Sequence, residues 1–244
     1  MNTWVTSDTH FYHKNICKGS SRWPGGHEHD PKDRRDLGKS FRGRDYLNQY
    51  IMTDELIANI NSQAKQNDLI RHGGDWSFGG IENIIKSRLR INCNNIILSL
   101  GNHDELIMKN RPIPLDLIED VHVRFPNAIY LQDLFTEVTL KQFFRIGGIR
   151  STLSHYAERI WNKSHHGAIQ LHGHSHNGLE NINEGGLHPV NKFYNLHRTT
   201  DVGVDNKFRL FGEYSMFHVD EIKKMMLLRK ERLLMSDHHD AQTS

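Results

Sequence analysis

Asp8 and His10 stand two positions apart, directly after the apolar run Thr3-Trp-Val-Thr-Ser7. If the chain is extended there, both side chains project to one face and form a compact oxygen and nitrogen ligand pair. Asp75 follows Gly73-Gly74. Paired glycines let the backbone turn sharply, and a carboxylate after such a turn can offer one oxygen to each of two cations. Gly101-Asn-His-Asp104 repeats the pattern after the apolar run Asn95 to Leu100, and His172-Gly-His174-Ser-His176 repeats the two-residue spacing after another. With His155, five polar clusters follow expected strands, where open α/β sheets place their ligand sites. Any one of these clusters is common by chance; the five together, in this order, carry the reading. Their donors, Asp8, His10, Asp75, Asn102, His155, His174 and His176, are all oxygen or nitrogen. Such a set suits two divalent ions such as Mn²⁺, Fe²⁺ or Zn²⁺, and disfavours a structural thiolate zinc; Mn²⁺ is the expected pair, with Fe²⁺, Zn²⁺ or Ni²⁺ as alternatives that the donor types alone do not separate. Two ions need a shared bridge, and Asp75 is the carboxylate in these clusters without a neighbouring ligand.

The composition allows this chemistry and removes others. Eighteen histidines in 244 residues are far more than a core needs. Cys17 and Cys93 are 76 positions apart with no CxxC pattern, so neither a thiolate zinc site nor a disulfide framework is expected. A net charge of +2 gives no global argument for binding a nucleic-acid polymer. There is no run of about 18 apolar residues and no apolar leader around Asp8 and His10, so the expectation is a cytoplasmic protein with no membrane contact.

The ligands must be held by a scaffold, and the apolar spacing suggests one. Strands are expected at 3–7, 68–72 and 95–100, with amphipathic helices at 45–61 and 81–90, which is a βαβ rhythm. Further strands are expected at 128–131, 135–140, 143–146, 151–155, 168–172 and 199–204, crowded together without long helices between them. A sheet of helix-linked strands beside a meander predicts a four-layer α/β/β/α sandwich of two mixed β-sheets flanked by helices. One domain over residues 1–235 would account for the chain, with a basic helix at 220–235 and a tail at 236–244. Residues 19–44 mix Gly, Pro and charge without periodicity and read as a long inserted loop.

Asp8-Thr-His10, Gly74-Asp75, Gly101-Asn-His-Asp104, His155 and Gly173-His-Ser-His176 resemble the five signature motifs of the calcineurin-like metallophosphoesterase superfamily. A finer likeness, to its small bacterial and phage members, lies in Asp8-Thr-His-Phe-Tyr-His-Lys-Asn-Ile16, in the segment from His166 to Asn177, and in Asp201-Val-Gly-Val-Asp205. It spans residues 4 to about 222, and the 19–44 loop departs from it. The resemblance implies one metal on Asp8, His10, Asp75 and His176, and a second on Asp75, Asn102, His155 and His174. It implies a water or hydroxide activated between the ions, with His103 protonating the leaving oxygen and Asp104 orienting the His103 imidazole.

Other residues admit two readings each. His13 could touch substrate phosphate or brace the loop to a helix. His72, His165, His166 and His172 could orient ligand imidazoles or be ordinary polar residues. Asp205 and Asn206 read as structural supports for the strand near Gly203. Lys223, Lys224, Arg229, Lys230 and Arg232 read as a solvated helix face. Between Lys18 and Asp45, eight Lys or Arg face five acids, so Arg34, Arg35, Arg42 and Arg44 could meet a nucleotide substrate, or the loop could simply be solvated. The leading expectation is a phosphodiesterase acting on nucleotides or cyclic nucleotides. A serine/threonine protein phosphatase or other monoesterase stands as the alternative, and a nuclease or a non-catalytic scaffold stands behind both.

Overall fold

The computed structural model describes residues 1–18, 44, 46–176 and 198–228. Strand β1 (Thr3–Thr6) leads through helix α1 (Lys14–Lys18) to α2 (Gln49–Gln63), then β2 (Leu69–His72), α3 (Ile81–Arg90) and β3 (Asn95–Ser99). Short helices α4 (Glu105–Met108) and α5 (Ile118–His122) precede strands β4 (Glu137–Thr139), β5 (Lys141–Ile146), β6 (Ile149–Ser154), β7 (Ile169–His172) and β8 (Thr199–Asp201). Helix α6 (Val204–Phe211), strand β9 (Phe217–His218) and helix α7 (Val219–Leu228) complete the described elements.

The expected pair of mixed sheets with helices is the architecture observed. One sheet has the order β4-β3-β2-β1-β9, parallel except at β9, and the other has the order β5-β6-β7-β8, antiparallel only between β5 and β6. Side-chain alternation explains the layers: Ile70, Ile96 and Leu98 join Met52, Leu56, Ile60 and Ile85 in a core under α2 and α3. Val5, Leu153, Ile169 and Leu171 pack with Phe217, Ile222 and Met226 in a second core. Between the sheets the buried Gln142 amide donates to the carbonyls of His72 and Ile97 and to Ser99 Oγ, and accepts from Arg71 Nη1.

Three expectations shift. Helix α2 begins at Gln49 because the Asn48 side chain accepts from the backbone amides of Tyr50 and Ile51, an N-cap that the apolar spacing alone overlooks. Residues 128–131 are not a strand: the Asp133 carboxylate takes the amides of Ile129 and Tyr130 and folds the chain into a 3₁₀ turn at Leu131–Leu134. The strand expected over 199–204 stops at Asp201, whose side chain accepts from the Gly203 amide, and α6 starts at Val204.

A single parallel bridge between Ser7 and Gly203 joins the two sheets where β1 and β8 end. With it, β1, β2 and β3 of one sheet and β6, β7 and β8 of the other run toward a shared edge, and the polar clusters follow those strands there.

Candidate metal centre

Two groups of ligand-type side chains stand at that edge, Asp8, His10 and His176 in one and Asp75, His155 and His174 in the other. Asp75 connects them. Its Oδ2 lies 3.5 Å from His10 Nε2 and 3.5 Å from His155 Nε2. Donors about 2.1 Å from a common tetrahedral ion stand roughly 3 to 3.5 Å apart, so this carboxylate has the spacing of a ligand on both sides. Asn102 Oδ1 and His174 Nδ1 approach His155 Nε2 to 2.8 and 3.2 Å.

The protonation pattern shows what these atoms face. His155 Nδ1 lies 3.1 Å from the Gly73 carbonyl, which can only accept, so a neutral imidazole here would carry its proton on Nδ1 and offer the Nε2 lone pair. That lone pair points at Asn102 Oδ1 and Asp75 Oδ2, both oxygen acceptors, and acceptors converge in this way around a cation. His10 is 2% exposed, and neither of its ring nitrogens has a hydrogen-bond partner among the described residues. An unpaired buried imidazole is costly unless something absent from the protein chain takes its lone pair. The donor set therefore fits two divalent ions.

Electrostatics agree. Burial pushes the Asp75 carboxyl up to about 7 and raises Asp8 as well. Burial holds His10 well below the usual histidine range and lowers His174 to about 4. Carboxylates pressed toward neutrality beside uncharged imidazoles mark a pocket short of positive charge, which bound cations would supply.

The backbone is bent to gather these groups. Asp8, His10, Asp75, His174 and His176 all have positive φ, between 46° and 65°, conformations costing about 1 to 3 kcal/mol each that cluster at functional sites. Two glycines permit the close approach. A Cβ on Gly101 would stand 2.2 Å from Asp75 Oδ1, and one on Gly173 would stand 2.3 Å from Asp8 Oδ2.

Supporting contacts differ from the sequence expectation in three places. Asp104 does not touch the His103 imidazole. Its oxygens accept from the amides of Asp75, Trp76 and Gly101, so it fixes the loops that carry Asp75 and Asn102. Its charge still favours protonated His103, against the burial that lowers that histidine overall. Arg44 is not placed to contact substrate either: its side chain is buried, donates Nε and Nη2 to the two Asp205 oxygens at 2.9 Å, and holds the backbone carbonyls of Asp8 and Thr9. Asp205 in turn accepts from His176 Nδ1 at 2.6 Å, leaving Nε2 as the nitrogen that can face a metal. The sequence reading of Asp205 as a support for Gly203 missed this link. An acid two residues beyond a strand's glycine is a weak signal, and only the fold brings it to His176 and Arg44.

The remaining candidates separate cleanly. His103 is exposed beside the cluster, its ring 5.7 Å from that of His10 and 4.6 Å from Phe78, and its amide donates to Asp75 Oδ1. His13 stacks on Phe78 at 3.6 Å, at the rim. His72 accepts from the Gly74 amide through Nδ1 and meets Thr9 Oγ1 through Nε2, bracing the loop before Asp75. His172 Nδ1 lies 3.1 Å from the Gly173 carbonyl, whereas His165 and His166 sit before β7, at the far end of the sheet. Arg34, Arg35 and Arg42 lie outside the described residues.

The family model for calcineurin-like phosphoesterases matches residues 1–202. No curated protein matches the chain. A crystal structure of a protein of unknown function from Aquifex aeolicus is similar in fold, with a TM-score of 0.50 at 18% identity, covering 92% of this chain and 98% of that one.

Proposed function

The chain belongs to the calcineurin-like phosphoesterases, and from that premise we propose that it hydrolyses phosphodiesters, nucleotides or cyclic nucleotides among them, with two divalent ions, manganese first. The observation carrying this reading is the Asp75 carboxylate, equidistant from imidazoles of the two ligand groups. Asp8, His10, Asp75 and His176 would hold one ion, and Asp75, Asn102, His155 and His174 the other. Bound there, the ions would supply Lewis acidity at the phosphoryl oxygens and a field that favours ionised water.

The chain's own groups do the rest. Asp205 and the Gly73 carbonyl engage Nδ1 of His176 and of His155, so Nε2 of each would be the nitrogen offered to an ion. The Asp75 and Asp104 hydrogen bonds hold the His103 segment against the cluster, so an imidazole nitrogen of His103 can deliver a proton to the departing oxygen. Burial lowers His103, which makes it a ready donor when charged. Flat ring surfaces flank the cluster: His13, stacked on Phe78, and Tyr156, half exposed, 4.6 Å from the His174 ring. Such faces suit a nucleobase better than an extended peptide, and favour the diester reading over a protein phosphatase.

Turnover of mono-, di- and cyclic phosphoesters with Mn²⁺ added tests this. Faster hydrolysis of nucleotide diesters than of matched monoesters is expected. A preference for phosphoserine peptides would transfer the reading to a protein phosphatase, and inactivity with every metal would favour a scaffold.

A further inference from the structure

At the opposite end of the second sheet a cavity of about 280 Å³ is lined by Arg145, Arg150, Lys163, His166 and Arg198, with no Asp or Glu among the described residues that line it. Arg145 and Arg150 are direct cross-strand partners on β5 and β6. Like charges placed directly opposite on a sheet repel and are destabilising. Arg145 donates to the Gly148 carbonyl and Arg198 to the Gly167 carbonyl, and neither these guanidiniums nor Arg150 and Lys163 pair with a carboxylate among the described residues. Four cations around one concavity without a carboxylate partner among the described residues, in a chain whose net charge is only +2, are an uneven distribution that an anion would relieve.

We propose that this cavity binds a small phosphate-bearing anion, separately from the metal centre. Arg150, Ala168 and Arg198 stand at the starts of the parallel strands β6, β7 and β8, whose other ends lead to His155, His174 and Asp205. Five residues of strand separate Arg150 from His155, about 16 Å, too far for one phosphate to reach both. Guanidinium forks match the paired oxygens of a phosphate, and Lys163 adds a point charge. The cavity's size and the low overall charge fit a compact anion rather than a nucleic-acid polymer.

The test is a titration of the metal-loaded protein with inorganic phosphate at constant ionic strength, followed by NMR at the Gly148 and Gly167 amides, which border the cavity. Saturable shifts at both are expected, with a phosphate-dependent rise in Tm. Arg150→Ser combined with Lys163→Ser should weaken binding read at these amides at least tenfold. Removing the repelling Arg150 should leave the phosphate-free Tm unchanged or higher, which separates lost binding from lost folding. Amides that stay still while phosphate saturates elsewhere, or unchanged affinity in the double variant, would overturn the proposal.

Discussion

Replacing Asp205 by Ala removes one group with two consequences of different size. The carboxylate pairs both oxygens with Arg44 at 2.9 Å, and the two side chains are 0% and 2% exposed. Deleting one partner of a buried ion pair leaves the other charge uncompensated and costs about 3 to 5 kcal/mol. The bonds from Arg44 to the carbonyls of Asp8 and Thr9 remain, so the lower half of that range is expected. At about 2 to 4 °C per kcal/mol for a chain of this size, Tm should fall by roughly 6 to 16 °C in calorimetry. His176 also loses the acceptor that holds its Nδ1 proton, and metal affinity should drop about 10- to 100-fold by isothermal titration with Mn²⁺. Asp205→Asn keeps an acceptor for the imidazole and should recover more of the affinity than of the stability. A variant Asp205→Ala with Tm within about 2 °C of the parent and unchanged Mn²⁺ affinity would refute the reasoning.

His103→Ala should retain its metals and lose roughly 10²- to 10⁴-fold in kcat on alkyl esters but less on aryl esters, whose leaving groups depart without a proton; equal losses on both would assign His103 to positioning. Gly101→Ala should displace Asp75, because its Cβ would stand 2.2 Å from Asp75 Oδ1, and metal content and activity should fall together. Chelation of the bound ions should lower Tm, each site contributing about 2.7 kcal/mol at a hundredfold excess over its Kd, and a Tm indifferent to chelator would mean that the folded chain holds no ions.

The candidate ligand residues are legible because glycines and two-residue spacings at strand ends are local features. Asp8 with His10, or His174 with His176, announces itself within three residues. The groups that hold them do not. Arg44 lies 161 positions from Asp205, and Asp104 reaches across 29 positions to the Asp75 amide, so neither contact leaves a local pattern. Asp104 follows His103 in sequence, which suggests an imidazole partner, yet its oxygens are taken by three backbone amides that only the folded loops present. The run 199–204, with Val202 and Val204, suits a pleated surface, but Asp201 ends the strand by taking the Gly203 amide and α6 starts at Val204. The sheets themselves followed from apolar runs, but the Asp133 turn at 129–133 looked like another run until its carboxylate was seen to occupy two amides.

The central claim is that Asp75 joins two metal sites, and the metal stoichiometry of Asp75→Asn tests it most directly. The parent protein, loaded with Mn²⁺ and desalted, should carry two ions per chain. The variant keeps the size and shape of the side chain but loses the charge, and with its oxygen still accepting the His103 amide it puts an NH₂ group where Oδ2 faces both His10 and His155. It should carry one ion or none and lose nearly all hydrolysis. Two ions per chain with near-normal turnover would contradict the account and make Asp75 a turn residue that merely accepts the His103 amide.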